Sequence, residues 1–270
     1  MWSEPTCWDV SLQGDDVQDL QQKIESSAGS RSATSAEVAE GYESGACLPL
    51  EPWRRLSDSD FSKLRRSQKS QSLGYSVAIV RLPAGITSEM RSKLAAQLPT
   101  SVQEAVTNLI KGMVHSSSEP IWLGANSAPQ SRTTITHDSR IQRYIGLHVD
   151  SWDDECLDKR PQSRNRICFN LGSERRYFLF VPYSLQTIAK IVRTSGREVS
   201  PNVPTTLGRV FLDTFPQVPI LRCELLPGEG YIAPTENILH DASTVGTNSQ
   251  DRSLTMRGHF TLRQSYASEP

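Results

Sequence analysis

Beyond residue 114 the chain is cut into short apolar stretches separated by turn residues, and that spacing confines it to a β-rich architecture. Arg132-Thr133-Thr134-Ile135-Thr136 is β-branched and extended, and Ile141 to Val149 follows it. In Arg166 to Leu171, Ile167, Phe169 and Leu171 alternate with polar or small residues, the period-2 pattern of a half-buried strand. Gly172-Ser173-Glu174 supplies a turn and Arg176 to Val181 returns, which predicts a hairpin. Val210 to Phe215, Ile220 to Leu225, Tyr231 to Ala233 and Ser253 to Phe260 read as further strands. Tyr183 to Arg193 reads as a helix, with Leu185, Ile188 and Val192 on its buried side. Such a pattern predicts an α+β protein built on an antiparallel jelly-roll barrel with helices packed outside it.

The first part of the chain carries less information. Val17, Leu20 and Ile24 stand at helical spacing. Ser26 to Gly45, rich in Ser, Ala, Gly and Glu, reads as a linker or mobile loop, with a lid over the active site as the sharper alternative. Lys63 to Lys69 reads as a solvated helix face. Residues 1–74 are therefore expected to form an N-terminal extension, partly helical and partly loop, ahead of a main domain over 75–270. That domain opens with a strand from Tyr75 to Leu82, then a helix from Thr87 to Gln97. A second helix begins at the capping box Ser101-Val102-Gln103-Glu104.

Composition excludes several classes. A formal net charge of −1 implies no general attraction to nucleic acid or to anionic membranes. The longest apolar runs are strand-sized, so no transmembrane helix is expected. Five cysteines are scattered without a Cys-x-x-Cys pair, which argues against structural zinc and a disulfide framework and for a reducing, cytoplasmic setting. Neither a dinucleotide loop, a P-loop nor a Gly-x-Ser-x-Gly elbow is present.

The chemistry concentrates in two short stretches. In Leu147-His148-Val149-Asp150 a histidine and an aspartate two apart on an extended segment point to the same face. Ile238-Leu239-His240-Asp241 supplies a second histidine. Two histidines and one carboxylate make a facial metal-binding triad that leaves the opposite side of the ion open. Taken singly, each residue reads more simply as an ordinary strand or turn residue. His115, His137 and His259 lack a partner at ligand spacing and read as surface or outer-sphere groups.

The setting of the second histidine resembles that of the iron(II) and 2-oxoglutarate-dependent dioxygenases, which share a double-stranded β-helix, or cupin-like, barrel. Leu226-Pro227-Gly228-Glu229-Gly230 is a tight turn before Tyr231-Ile232-Ala233-Pro234 and His240, and Asp251 to Phe260 follows. The resemblance covers residues 140 to 262 and is carried by motifs. It implies that His148, Asp150 and His240 hold iron(II), with 2-oxoglutarate and O2 as co-substrates. It also implies an arginine on the last barrel strand for the far carboxylate of 2-oxoglutarate.

Arg252 is the expected anchor on spacing, although the family's Arg-x-Ser is here Arg-Ser. Arg257 is the alternative, and Thr255 would share its strand face. Tyr144, Trp152, Arg175 and Arg176 are further pocket candidates for a carboxylate-bearing small molecule. With Asp150 in place of a small residue, the resemblance implies hydroxylation or desaturation rather than halogenation. Two other readings fit the same barrel: a cupin-like metalloenzyme that uses no 2-oxoglutarate, and a non-catalytic binding protein.

Overall fold

The computed structural model describes residues 8–14, 17–65, 73–82, 107–108, 110–111, 114–116, 119–197 and 203–262. It is mostly β-sheet with few helices. The first sheet runs in the order β1 (Ser11–Gln13), β6 (Ser76–Arg81), β14 (Glu229–Ala233), β11 (Asn165–Asn170), β16 (Asp251–Gly258) and β8 (Ile121–Ala128). The second runs β15 (Ile238–Ser243), β12 (Arg176–Ser184), β13 (Leu221–Leu225), β2 (Ile24–Ser26) and β5 (Arg54–Arg55). A third joins β3 (Gly29–Ser32), β4 (Tyr42–Leu50), β10 (Arg143–Gly146) and β9 (His137–Asp138). A short pair, β7 (Val114–Ser116) and β17 (Phe260–Leu262), completes the described strands.

Strand alternation explains how the first sheet is covered on both faces. On β6, Val77 and Ile79 enter one core cluster while Ala78 and Val80 enter another. β11 and β14 divide likewise: Cys168, Tyr231 and Ala233 go to the first cluster, Ile167, Phe169 and Ile232 to the second. The first cluster also holds Phe178, Phe180, Leu221, Cys223 and Leu225 from the second sheet, so the two sheets share one interior. Phe178 stacks on Tyr231 at 3.9 Å between ring centroids and ties the two sheets together.

The outer face of β12 is also buried, which is why every residue of that strand is apolar or enclosed. Two helices account for it. Helix α4 (Leu185–Thr194) is capped by Ser184, whose side chain accepts from Thr187 N–H, and it buries Leu185, Ile188, Ala189 and Val192. Helix α5 (Pro204–Thr214) buries Leu207, Gly208, Phe211 and Leu212. The strand expected over Val210 to Phe215 is therefore mostly helix. Leu207, Phe211 and Leu212 recur at helical spacing, and Pro204 in the first turn fits the helix start.

Two other local expectations change. The turn after Leu171 does not close a hairpin: β11 pairs with β14 and β16, while β12 pairs with β13 and β15. It carries the chain from one sheet to the other. Arg132 to Thr136 forms no regular strand, but its backbone bonds to β15 through Thr244 N–H to Arg132 O and Ile135 N–H to Ala242 O.

The stretch before residue 75 is woven into the sheets. β1 pairs with β6, β2 with β13, and β4 with β10. Ser26 to Gly45, expected as a linker, contains β3, helix α2 (Ser35–Ala39) and the start of β4. Helix α1 (Val17–Lys23) is fixed from below by a buried ion pair, Lys23 Nζ to Glu229 Oε1 at 2.7 Å. Arg81 reaches the same oxygen at 2.6 Å. The Thr87 to Gln97 helix and the Ser101 capping box lie outside the described residues.

Candidate metal centre

His148 and Asp150 follow β10, on a segment that leaves one sheet and runs beside another. Gly146 makes that departure with φ of +72°, and a Cβ there would lie 2.5 Å from the Cys47 carbonyl oxygen. Only glycine fits this combination of left-handed backbone and close approach. Beyond it, His148 N–H donates to His240 O at 3.1 Å and His240 N–H to His148 O at 2.9 Å. Asp150 N–H donates to Thr235 O at 3.0 Å. Arg160, itself buried, holds the same junction by donating from Nη1 to the carbonyls of Asp150 (3.1 Å) and Glu236 (2.9 Å).

His148, Asp150 and His240 are all buried and present ligand atoms within 4.8 Å of one another. Nε2 of His148 lies 3.8 Å from Asp150 Oδ1, and Nε2 of His240 lies 3.8 Å from Asp150 Oδ2. Atoms so separated can share one neighbour at about 2.0–2.2 Å, the bond range for nitrogen and oxygen ligands of such ions. The tautomers agree with that use. His148 Nδ1 faces Gly146 O at 3.0 Å and His240 Nδ1 faces Ile238 O at 3.3 Å. Each Nδ1 is then the N–H donor to a carbonyl, and Nε2 is the atom left to face the centre. His240 Nε2 and Asp150 Oδ2 are buried without a hydrogen-bond partner. Asp150 Oδ2 still has the Arg166 charge beside it, but His240 Nε2 has nothing, and a metal ion held with Asp150 would satisfy it.

The charges point the same way. Burial opposes protonation of His148, but the carboxylates of Asp150 and Asp241 outweigh it and raise the pKa to about 10. Burial pushes His240 down to about 3, helped by the charge of His148. Burial also opposes ionisation of Asp150, yet Arg166 and the histidines hold it well below the usual carboxylate range.

A cavity of about 420 Å³ opens from this centre, and His240 is the ligand that lines it. Arg166 on β11 enters it and places Nη2 2.7 Å from Asp150 Oδ2 as an ion pair. Arg176 on β12 also lines it, 3% exposed, with Nε and Nη1 lacking hydrogen-bond partners. Its nearest carboxylate is Asp251, 3.1 Å from Nη1 but not aligned as a hydrogen bond. Tyr231, Ser253 and Thr255 stand on the same walls, and Trp152 is at the exposed rim.

Of the expected carboxylate-binding residues, Thr255 is in the cavity and Arg252 is not. Arg252 is exposed on the other face of β16, because residues 251, 253, 255 and 257 share one side of that strand. Arg257 faces inward but is engaged by Glu236 and by Asp153, and its guanidinium lies over Trp152. Tyr144 lies outside the cavity wall, packed against Tyr42, His137 and Arg132. His137 does line the cavity, whereas His259 is exposed with Nε2 near Gln162 O. Arg166 was legible only through parity: it shares with Cys168 the face of β11 opposite Ile167 and Phe169. Asp241 carried no signal of its own beside His240.

No protein-family model matches the chain, and no curated protein sequence matches it. Among solved structures, the chain is similar to the Kdo hydroxylase KdoO, a non-heme Fe(II) alphaketoglutarate-dependent dioxygenase, in complex with cobalt(II). That likeness has 10% identity and a TM-score of 0.37, over 69% of this chain and 81% of the other. The same enzyme with succinate and Fe(III) matches at 9% identity and a TM-score of 0.36, over 69% and 80%. Overlaps this loose carry no weight for fold or function. Among the described residues no helix is long and apolar enough to cross a membrane.

Proposed function

We propose that this protein is a non-haem iron(II) and 2-oxoglutarate-dependent oxygenase that hydroxylates or desaturates an unactivated carbon of a small molecule. The observation that carries the reading is the buried trio His148, Asp150 and His240, with both Nδ1 atoms occupied by carbonyls and both Nε2 atoms turned to the centre. The strand order favours the double-stranded β-helix. Strands β8, β11, β14 and β16 lie in one sheet and β12, β13 and β15 in the other, with the His148 bridge extending the second from β10.

Iron(II) held by these three residues would supply dioxygen activation coupled to oxidative decarboxylation of 2-oxoglutarate. The protein's own groups do the rest. Arg166 orients the Asp150 carboxylate. Arg176, buried with unpaired N–H donors, is the group suited to grip the far carboxylate of 2-oxoglutarate. Burial keeps the Tyr231 phenol protonated, so it can donate a hydrogen bond beside them. The cavity reaches solvent on the Trp152 side, which gives small molecules a way in.

Anaerobic titration with iron(II), with and without 2-oxoglutarate, tests the reading. A weak visible charge-transfer band should appear only when both are present. Metal binding without that band would favour a barrel metalloenzyme that uses no 2-oxoglutarate. Absence of metal binding would leave a binding protein.

A further inference from the structure

Asp241 follows a ligand in sequence, but its carboxylate faces the other histidine. Its Oδ1 accepts from the backbone N–H groups of Ile135 (3.3 Å), Thr136 (3.1 Å) and Ala242 (2.6 Å), and from the Thr136 hydroxyl (2.9 Å). Its Oδ2 is buried without a hydrogen-bond partner, 3.6 Å from His148 Nδ1. The side chain is wholly enclosed. One oxygen thus fixes the carboxylate to the cavity wall, and the other is held against the back of the His148 ring.

We propose that Asp241 is a positioning residue of the metal centre, and this rests on the metal-binding reading above. Its second oxygen backs Nδ1–H of His148 alongside the Gly146 carbonyl, which fixes Nε2 as the ligand atom and makes the imidazole a stronger donor. It also balances charge. Asp150 offsets one charge of a divalent ion, and Asp241, one contact further out, offsets the second. Tyr42 bonds to the neighbouring backbone and not to this carboxylate: its Oη donates to Thr134 O and accepts from Thr134 N–H.

Cobalt(II) titration of the metal-free protein, followed by visible absorption, provides the test. Asp241→Asn can keep the acceptor toward the wall but loses the charge behind His148. Its cobalt dissociation constant should rise about 10–100-fold, as for other groups that support a metal-bound histidine. Tyr42→Phe loosens the wall without touching that charge and should bind cobalt much as the wild type does. Should Asp241→Asn fail to fold, Asp241→Glu and Asp241→Gln form a matched pair, and the Glu variant should bind more tightly. Wild-type affinity in Asp241→Asn, equal weakening in Tyr42→Phe, or equal affinity in the Glu and Gln variants would overturn the proposal. If the wild type takes up no cobalt, or His148→Ala takes it up unchanged, the metal-binding reading itself fails.

Discussion

His148 and His240 form a single backbone bridge, each donating its N–H to the other's carbonyl, at 3.1 and 2.9 Å. Two ligands far apart in the chain are thereby set by main-chain geometry, and their rings lie 4.6 Å apart between centroids. A site built on paired backbone is stiffer than one built on loops, because neither histidine's main chain can shift without breaking the bridge.

The first prediction concerns the ligands. Alanine at His148, Asp150 or His240 should each weaken cobalt(II) binding more than about 100-fold, beyond the range seen for groups that only support ligands. Equilibrium dialysis measures this directly. Retention of near-normal binding in any one variant would remove that residue from the centre.

The second concerns the carboxylate anchor. Arg176→Gln should weaken 2-oxoglutarate binding by about 2–5 kcal/mol, the usual effect of truncating one side of a buried charged pair. Iron binding should change little. Arg252→Ala should leave the 2-oxoglutarate requirement near wild type, since that side chain is exposed on the far face of β16. A rise in the requirement with Arg252→Ala and none with Arg176→Gln would reverse the assignment.

Gly146→Ala should be destabilising on two counts. A left-handed backbone costs a residue with a Cβ about 1–2 kcal/mol. The contact with the Cys47 carbonyl adds an overpacking cost of about 1–3 kcal/mol. Urea unfolding of the metal-free protein gives the total, expected at about 2–5 kcal/mol. A change near zero would show that β10 can shift away from β4 freely.

The last prediction is a pH dependence. Burial pushes the Glu229 pKa up, but hydrogen bonds from Lys23 and Arg81 outweigh it and hold the carboxyl below its ordinary 4.5. A group more acidic folded than unfolded contributes stability above its unfolded value, and the contribution fades as pH falls through the folded one. Stability should therefore decline below about pH 4.5, and less steeply in Glu229→Gln. That variant should also lose stability at neutral pH, by less than the about 3–5 kcal/mol of a buried pair broken outright, because Lys23 keeps Asp19 at 2.7 Å. Identical acid profiles for variant and wild type would show that the pair does not couple to folding.

The metal trio was legible because its signal is local: two residues on one strand face, and a histidine after a turn. Strand parity put Thr255 and Arg257 on one face of β16 and Arg252 on the other, but spacing favoured Arg252, whose face turns out to be the exposed one. The place of Arg176 in the cavity was harder to read, since it looks like a hairpin-end charge until β12 is known to pair with β15 rather than β11. Val210 to Phe215 misled because a β-branched, aromatic run outweighed the helical spacing of Leu207, Phe211 and Leu212. The role of the first 65 residues could not be read at all. Their strands find partners whose positions no local pattern specifies.

That last feature sets the order in which the molecule can assemble. Glu25 and Arg222 meet across β2 and β13, although 197 residues separate them. Closing a loop of that length carries an entropy cost before any contact rewards it, and folds rich in such pairings form slowly. β1 and β3 pair with the nearby β6 and β4, whereas one edge of β2 stays open until β13 is made. The bridge between His148 and His240 closes no sooner, so the proposed metal centre can form only once β15 has joined the sheet.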